Sequence, residues 1–371
     1  MEIKANRKDL ISALKTANAC IDNRAIVPVL ANAHIEGKSN QIAITCTSLE
    51  HRITVTCEAE VNGTGCTTIP AKKLLSVLDA MSGNTVSLNC DLDNFHTLVK
   101  CGSSKVKFLG LSAADFPEKT SIADGKKITF SMETADLRTL IDNTSYAIGV
   151  NESRKILNGM LFEAENNEIN AVGTDSKRLA KASVGYVVPV EETAQKFQRI
   201  IPFNAISFLR TLKSEKLEIV FDADGKRMEV TAGDVEYSSK LIEGSYPNYR
   251  QVIPPRFDYK ATIDRDTFLA KLNIISMIAG DDKYISLTFN ENTLLMIAEN
   301  SISGKAEDEM PIELNYYNGE PLTVTINSMM LSSAVKASAA EKFVICYNNS
   351  LSPLEFDFSA GCLGIIMPVR K

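Results

Sequence analysis

IPAKKLLSVLDA, Ile69 to Ala80, reads as the end of a strand running straight into a helix. Proline is favoured at the first helical position because the N–H it lacks would have had no intrahelical partner there. Leu74 and Val77 stand five and eight residues after Ile69, the spacing of one buried helical face. The same phrase returns twice. Ile201-Pro202 is followed at these offsets by Ile206 and Leu209, and Ile326-Asn327, with asparagine as a cap, by Leu331 and Ala334. Three copies of one junction in 371 residues mean that the chain is built by internal repetition.

Working outward, each copy has a second junction upstream. Short alternating strands at Glu2 to Ala5, Lys127 to Ser131 and Tyr259 to Ile263 lead into helical patterns. Those helices carry Leu10, Ile11 and Leu14; Leu137 and Ile141; and Phe268, Leu269 and Leu272 at matching places. Further β-patterned runs include Gln41 to Cys46, Arg52 to Cys57, Thr85 to Cys90 and His96 to Cys101 in the first copy. Ile156 to Glu163, Leu217 to Phe221 and Arg227 to Ala232 follow in the second, and Tyr284 to Asn290 and Leu322 to Ile326 in the third. Each copy is therefore an α+β unit of about 120 residues, two helices on antiparallel sheets. Turn formers at Ala123-Asp124-Gly125 and Pro254-Pro255 put the domains at 1–124, 125–253 and 254–371.

With 44% hydrophobic and 23% charged residues, the chain has apolar material for several cores. Its net charge of −6 excludes coating nucleic acid by overall positive charge, so any contact with DNA has to be local. No apolar run approaches the ~18 residues that cross a bilayer. MEIKANRKDL carries charges where a secretion leader needs apolar residues, so a cytoplasmic protein without membrane contact is expected. Eight cysteines without a CxxC pair read as buried free thiols, and three histidines without ligand spacing predict no metal and no cofactor.

Catalytic motifs are likewise missing, and a non-enzyme is expected. Gly37-Lys38-Ser39 lacks the earlier glycine of a phosphate loop, Asn32 standing there instead. Phe221 to Gly225 lacks the remaining ligands of a calcium loop, and Asp281-Asp282 reads as a loop. A metabolic enzyme on a repeated α+β scaffold, the alternative reading, would require convergent ionisable groups in a cleft. A monomeric scaffold without DNA contact is a third.

The helix faces carry more information. On a wheel of residues 8 to 21, Lys8, Ser12, Lys15 and Ala19 share one stripe and Leu10, Leu14, Ala17 and Ile21 the opposite one. Lys72, Ser76 and Asp79, with Lys73 beside them, repeat the design, and Arg138, Arg210, Lys213, Lys271 and Lys336 stand on later helices. Such faces are either solvated or offered to a phosphate backbone.

One family unites these features. The threefold layout, NRAIVPVLANAHIE from Asn23, ADFP at Ala114 to Pro117, LNGMLFE at Leu157 to Glu163, TDSKRLA at Thr174 to Ala180, YPNYRQVIP at Tyr246 to Pro254 and the terminal IMPVRK together resemble the bacterial DNA polymerase III beta subunit family, the sliding clamps. The likeness runs through the whole chain in order. It implies a homodimeric ring of six similar domains, joined head to tail, with helices lining a hole that encloses double-stranded DNA without sequence preference. Partners would be the polymerase alpha subunit, an ATP-driven clamp loader and other proteins bearing short clamp-binding peptides.

The resemblance also assigns residues. Lys8, Lys15, Lys72, Lys73, Arg210 and Lys336 become candidates for the channel lining, with Arg24 and the loop Ser153, Arg154, Lys155 nearest the DNA. Val106 and Phe108, on the run Lys105 to Leu109, would meet Met277 and Ile278 of a second copy; the other reading of these four is ordinary core. The peptide pocket would comprise Leu157, Thr174, Ser176, Lys177, Arg178 and Leu179, then Pro247, Gln251 and Val252, then Pro353, Ile365, Met367, Pro368, Val369 and Arg370. Leu, Val, Ile, Met and Pro would bury a peptide's apolar side chains while a few polar groups fix its backbone. Leu157, Leu179, Val252 and Met367 are the expected centre. Without the resemblance, IMPVRK reads as a final edge strand with a basic end. Ser176-Lys177 departs from the Gly-His of many relatives, and Gln251 from the arginine of some, which puts the preferred peptide in doubt. The corner Thr47 to Ile53 in the first copy is the counterpart of Thr174 to Ala180, so the corner itself is scaffold.

Overall fold

The computed structural model describes residues 1–21, 26–123, 127–165, 167–185, 197–281, 283–359 and 361–369. Arg24, the Asp124-Gly125 join, Asp282, Arg370 and Lys371 lie outside the described residues. The chain forms two compact units, one of Met1–Thr134 with Thr211–Leu241, the other of Ala135–Arg210 with Ile242–Lys371. The first and third repeats each fall within one unit, and the second contributes to both.

Six α-helices are described, and each begins where a strand ends. They are α1 (Arg7–Ala17), α2 (Ala71–Ala80), α3 (Thr134–Thr144), α4 (Phe203–Leu209), α5 (Arg265–Ile278) and α6 (Ser328–Ala337). The junctions are local chemistry. Asn6 accepts from the Lys8 N–H, Asp264 from Thr267, and Asn327 from both Met329 and Met330, which satisfies donors that the first turn leaves without partners. Pro70 and Pro202 stand one position earlier than expected, as the last strand residue and cap; their φ of −54° and −60° suits either place.

Leu74, Ile206 and Leu331 are fully or almost fully buried, as are Leu209 and Ala334. Val77 is only half-buried, and Leu78 takes the inward place in α2. In α1, Leu10, Ile11, Ala13, Leu14 and Ala17 face inward, and Lys8, Ser12 and Lys15 face solvent. The α-helix stops at Ala17, so Ala19 falls on the 3-10 turn Asn18–Cys20 and Ile21 after it, off the predicted wheel.

The first unit is built on one twelve-stranded antiparallel sheet. The strand His51–Asn62 crosses its middle, pairing with Glu2–Asn6, Gln41–Thr47 and Val235–Lys240; Ser104–Leu109 ends one side. The second unit holds two sheets. One is four-stranded, ordered Gly304–Pro311, Thr293–Asn300, Tyr284–Phe289, Leu322–Asn327. The other has nine strands, in the order Phe197–Pro202, Gly159–Glu165, Glu168–Thr174, Arg178–Gly185, Leu363–Ile366, Leu354–Asp357, Lys342–Tyr347, Tyr259–Asp264 and Glu313–Leu314.

Two expectations need correction. Ile156 to Glu163 is not one strand: a 3-10 turn, Lys155–Asn158, precedes the strand Gly159–Glu165. Gly159 is where the turn meets the sheet, because a Cβ there would lie 2.6 Å from the Ile201 carbonyl. All eight cysteines are free, but Cys66 is exposed and Cys20 half-buried. Burial pushes the Cys20 thiol up to about 12 and that of Cys346 to about 11.

Candidate functional site

The corner after the strand Glu168–Thr174 is held by its own side chains. The Thr174 hydroxyl donates to the Arg178 carbonyl (2.6 Å) and accepts from the Ser176 N–H (3.2 Å). Asp175 accepts from the N–H groups of Lys177 and Arg178 and takes an ion pair from the Arg178 guanidinium at 2.8 Å. Ser176 at the tip has φ +74°. The first copy repeats this arrangement: Thr47 donates to the His51 carbonyl (2.9 Å), accepts from Leu49 (3.2 Å), and Leu49 has φ +73°. The corner is thus common scaffold, and what distinguishes the second copy lies around it.

Two further segments meet it. Leu363–Ile366 pairs with the strand leaving the corner, Leu179 opposite Ile365 and Arg178 opposite Ile366, and the Met367 N–H donates to the Lys177 carbonyl at 3.0 Å. Its other neighbour is Leu354–Asp357, so the last strand is interior to the sheet and not an edge. Beyond it the Val369 N–H donates to the Thr325 carbonyl (2.8 Å).

The third segment is Tyr246 to Pro254, anchored by phenols and one arginine. Tyr246 donates to the Val172 carbonyl (3.2 Å). Tyr249 donates to Glu163 (2.5 Å), which also accepts from Arg250 (2.8 Å) and Gln198 (2.8 Å). Arg250 reaches Glu165 as well, at 2.6 Å, with its guanidinium over the Tyr249 ring. Burial, and then the Glu163 carboxylate, push the Tyr249 phenol up, so it stays a donor. Sequence reasoning missed Glu163 as an anchor. Its trace is a single charged residue inside the apolar run LNGMLFEA.

Leu161, Val172, Leu179, Ile200, Tyr249 and Ile365 form one buried cluster, against which Ile156, Ile242, Tyr246, Ile253 and Leu363 pack. All three segments therefore converge on one apolar body. Leu157 and Leu179 are buried, 1% and 2% exposed, while Val252 (42%) and Met367 (39%) are exposed. Ser176, Lys177 and Gln251 are exposed; Pro247, Pro353, Pro368 and Val369 are half-buried. Arg178 is committed to Asp175 and Ser333 and lies over the Tyr146 ring.

The basic candidates are distributed over both units. In the first, Lys8, Lys15, Lys72 and Lys73 are exposed on α1 and α2, Lys15 lying 3.6 Å from Asp79. In the second, Lys155 and Lys336 are exposed, Arg210 pairs with Asp142, and Arg154 donates to the Ser176 hydroxyl at 2.7 Å. Lys271 pairs with Asp308 (2.6 Å). Of the four interface candidates, Phe108 is 7% exposed and Met277 70%, with Val106 and Ile278 between. Phe108 thus belongs to its own unit's core. Exposed Leu109 (66%) and Ile274 (55%) are apolar neighbours that the resemblance did not bring forward.

Among the described residues no group of three or more His, Cys, Asp or Glu gathers as a metal site. Gly37-Lys38-Ser39 lies at a hairpin end with Ser39 at φ +50°, and Asp222 to Gly225 is a turn in which Asp222 accepts from Asp224.

Family models match in sequence along the chain: "DNA polymerase III beta subunit, N-terminal domain" over residues 1–120, "central domain" over 131–248 and "C-terminal domain" over 250–370. A curated beta sliding clamp of Pseudomonas aeruginosa is 28% identical, with all of both chains covered, and that of Salmonella typhimurium 26% identical, again over all of both. The crystal structure of the DNA polymerase III subunit beta from Pseudomonas aeruginosa has a TM-score of 0.91 at 26% identity, covering both chains in full. A sliding clamp structure from the same organism bound to griselimycin is equally similar.

Proposed function

The chain belongs to the DNA polymerase III beta subunit family, and on that premise we propose that it is a sliding clamp, a processivity factor that encircles duplex DNA in the cytoplasm and tethers a replicative polymerase. The observation that carries the tethering is the convergence of the corner, the Tyr246 segment and the last strand on one apolar cluster. A partner's short peptide lays its apolar side chains against Val252, Met367 and Pro247 and meets polar groups at Ser176, Lys177 and Gln251. The polymerase alpha subunit, the clamp loader and other proteins with such peptides share that surface. The clamp has no catalytic step of its own, and the two curated relatives named above, both beta sliding clamps, give no support to a metabolic enzyme.

A ring holds DNA by enclosure, so weak phosphate contacts suffice and base readout would oppose sliding. Exposed Lys8, Lys15, Lys72, Lys73, Arg154, Lys155 and Lys336 supply them in an acidic chain. Arg210 reaches phosphate only by leaving Asp142. Arg24 completes the set by resemblance. Domains at 1–124, 125–253 and 254–371 then give two copies six repeats.

Closure joins the first repeat of one copy to the third of the other, a heterologous contact that ends after two copies. Two sheet ends suit it. Ser104–Leu109 carries Lys105 and Lys107 with Leu109, and Gly304–Pro311 carries Glu307, Asp308 and Glu309, with Ile274 and Met277 exposed on α5. Free strand ends of opposite charge pair readily, and apolar Val106, Met277 and Ile278 add burial. The test is retention after loading by the ATP-driven loader: the protein should stay on circular DNA and slide off linear DNA of the same length. Equal loss from both would refute the ring.

A further inference from the structure

A cavity of about 110 Å³ opens in the second unit between the strand Tyr259–Asp264 and the loop that precedes Leu322–Asn327. One wall is a ladder of four rings. Tyr316 stacks on Tyr259 (6.1 Å, 19°), Tyr259 on Tyr347 (5.3 Å, 15°), and Tyr347 on Phe289 (4.2 Å, 24°). The inner rings are buried, Phe289 1% and Tyr347 3% exposed, and Tyr316 at the outer end is 58% exposed. Glu320 is the single ionised side chain on the lining, and it makes no ion pair among the described residues.

The loop is already set. Asn315 exchanges hydrogen bonds with the Lys260 backbone. Asn318 donates to the Tyr259 hydroxyl (3.1 Å) and accepts from the Glu320 N–H (3.1 Å), and Gly319 supplies the φ of +93° that the turn requires. A preformed site loses little entropy on binding.

From this geometry we propose that the cavity binds an arginine side chain carried by an extended segment of a protein partner. The face of Tyr316 turned away from Tyr259 carries the negative end of the aromatic quadrupole, and the Glu320 carboxylate stands at the rim, so the field favours a cation and opposes an anion. A purely apolar side chain would cover the rim and leave the Glu320 carboxylate without a partner. A guanidinium satisfies both demands: it stacks on an aromatic face and offers a fork of donors to a carboxylate. The position also suits a partner segment. Asn348 on the lining and Pro353 beside the peptide surface are ends of one loop, which spans at most about 18 Å.

The full-length protein, labelled with fluorotyrosine, tests this by ¹⁹F NMR, with resonances assigned through Tyr316→Phe and Tyr259→Phe. Titration with Gly-Gly-Arg-Gly-Gly should shift the Tyr316 and Tyr259 signals. Replacing arginine by citrulline, which keeps the shape and removes the charge, should abolish the shift. Glu320→Gln and Tyr316→Ala should each weaken binding by roughly two- to fivefold, as expected for one exposed ion pair or one ring face. The proposal is overturned if citrulline works as well as arginine, if Glu320→Gln has no effect, or if a proline-rich peptide moves these rings and the arginine peptide does not. Since the probe reads the cavity alone, its outcome is independent of whether the protein clamps DNA.

Discussion

Ser176 shows how a residue can be at once strained and informative. Its φ of +74° lies in the left-handed region, which is unfavourable for any residue with a Cβ by about 1 kcal/mol or more. Thr174 and Asp175 impose the turn through hydrogen bonds that do not involve the Ser176 side chain. Ser176→Gly should therefore stabilise the protein by up to about 1 kcal/mol in urea unfolding, less the exposed bond from Arg154. Ser176→Ala, which keeps the Cβ, should show no gain; a gain as large as glycine's would mean that backbone strain is not the cause. The site residues were reached through the family resemblance that TDSKRLA and YPNYRQVIP carry; the turn chemistry of the corner marks scaffold and not a site. The division of labour within the site was not legible. Leu157, Leu179, Val252 and Met367 are all apolar letters in sequence, and only packing buries the first two and leaves the last two exposed. Glu163 was hidden for the converse reason, since its donors stand 35, 86 and 87 residues away.

Single elements are where the chain couples to pH. His51 opens the long strand of the first unit, and its Nδ1 lies 2.8 Å from the hydroxyl of Tyr237 on the neighbouring strand. His34 packs at a tilt against the Phe116 ring. Burial lowers both imidazoles below their usual 6.5, only partly opposed by Glu50 beside His51 and Glu36 beside His34, with Arg52 lowering His34 further. The unfolded chain then takes up protons near pH 6.5 that the folded sheet refuses until lower pH, so protons favour unfolding. Stability should be level above about pH 7 and fall as pH drops through 6.5 toward the folded values. Thermal unfolding from pH 7.5 to 5.5 should show that slope, reduced in a His34→Gln, His51→Gln variant; equal slopes would assign the loss to other groups. The elements themselves were largely legible. All six strand-to-helix junctions lie close to where apolar spacing and helix-start residues put them, with Pro70 and Pro202 one position earlier, because those preferences act within a few residues. The turn Lys155–Asn158 was missed because its apolar residues read equally well as strand. Nor could the pairing of Leu363–Ile366 with Arg178–Gly185 be read, because register between strands so far apart leaves no local trace.

At the scale of the whole molecule, the question is what closes two copies into a ring. Loose apolar contacts would allow many pairings, whereas in the proposed joint Lys105 and Lys107 on one sheet end would meet Glu309 and Glu307, which now pairs with Lys305, on the other and select a single head-to-tail pairing by charge. All four side chains are exposed in the single chain, so altering them leaves each unit's core untouched. Lys105→Glu with Lys107→Glu places like charges across the joint and should yield monomers in sedimentation at concentrations where the original chain is a dimer. Glu307→Lys with Glu309→Lys should do the same. Carrying all four changes restores opposite charges at both joints and should restore the dimer, together with retention on circular DNA. Raised salt should weaken the original dimer and partly rescue each two-residue variant, because screening acts on attraction and repulsion alike. A four-residue variant that stays monomeric although each unit unfolds normally would show that these two sheet ends do not face each other, and the joint would have to be sought elsewhere on the surface.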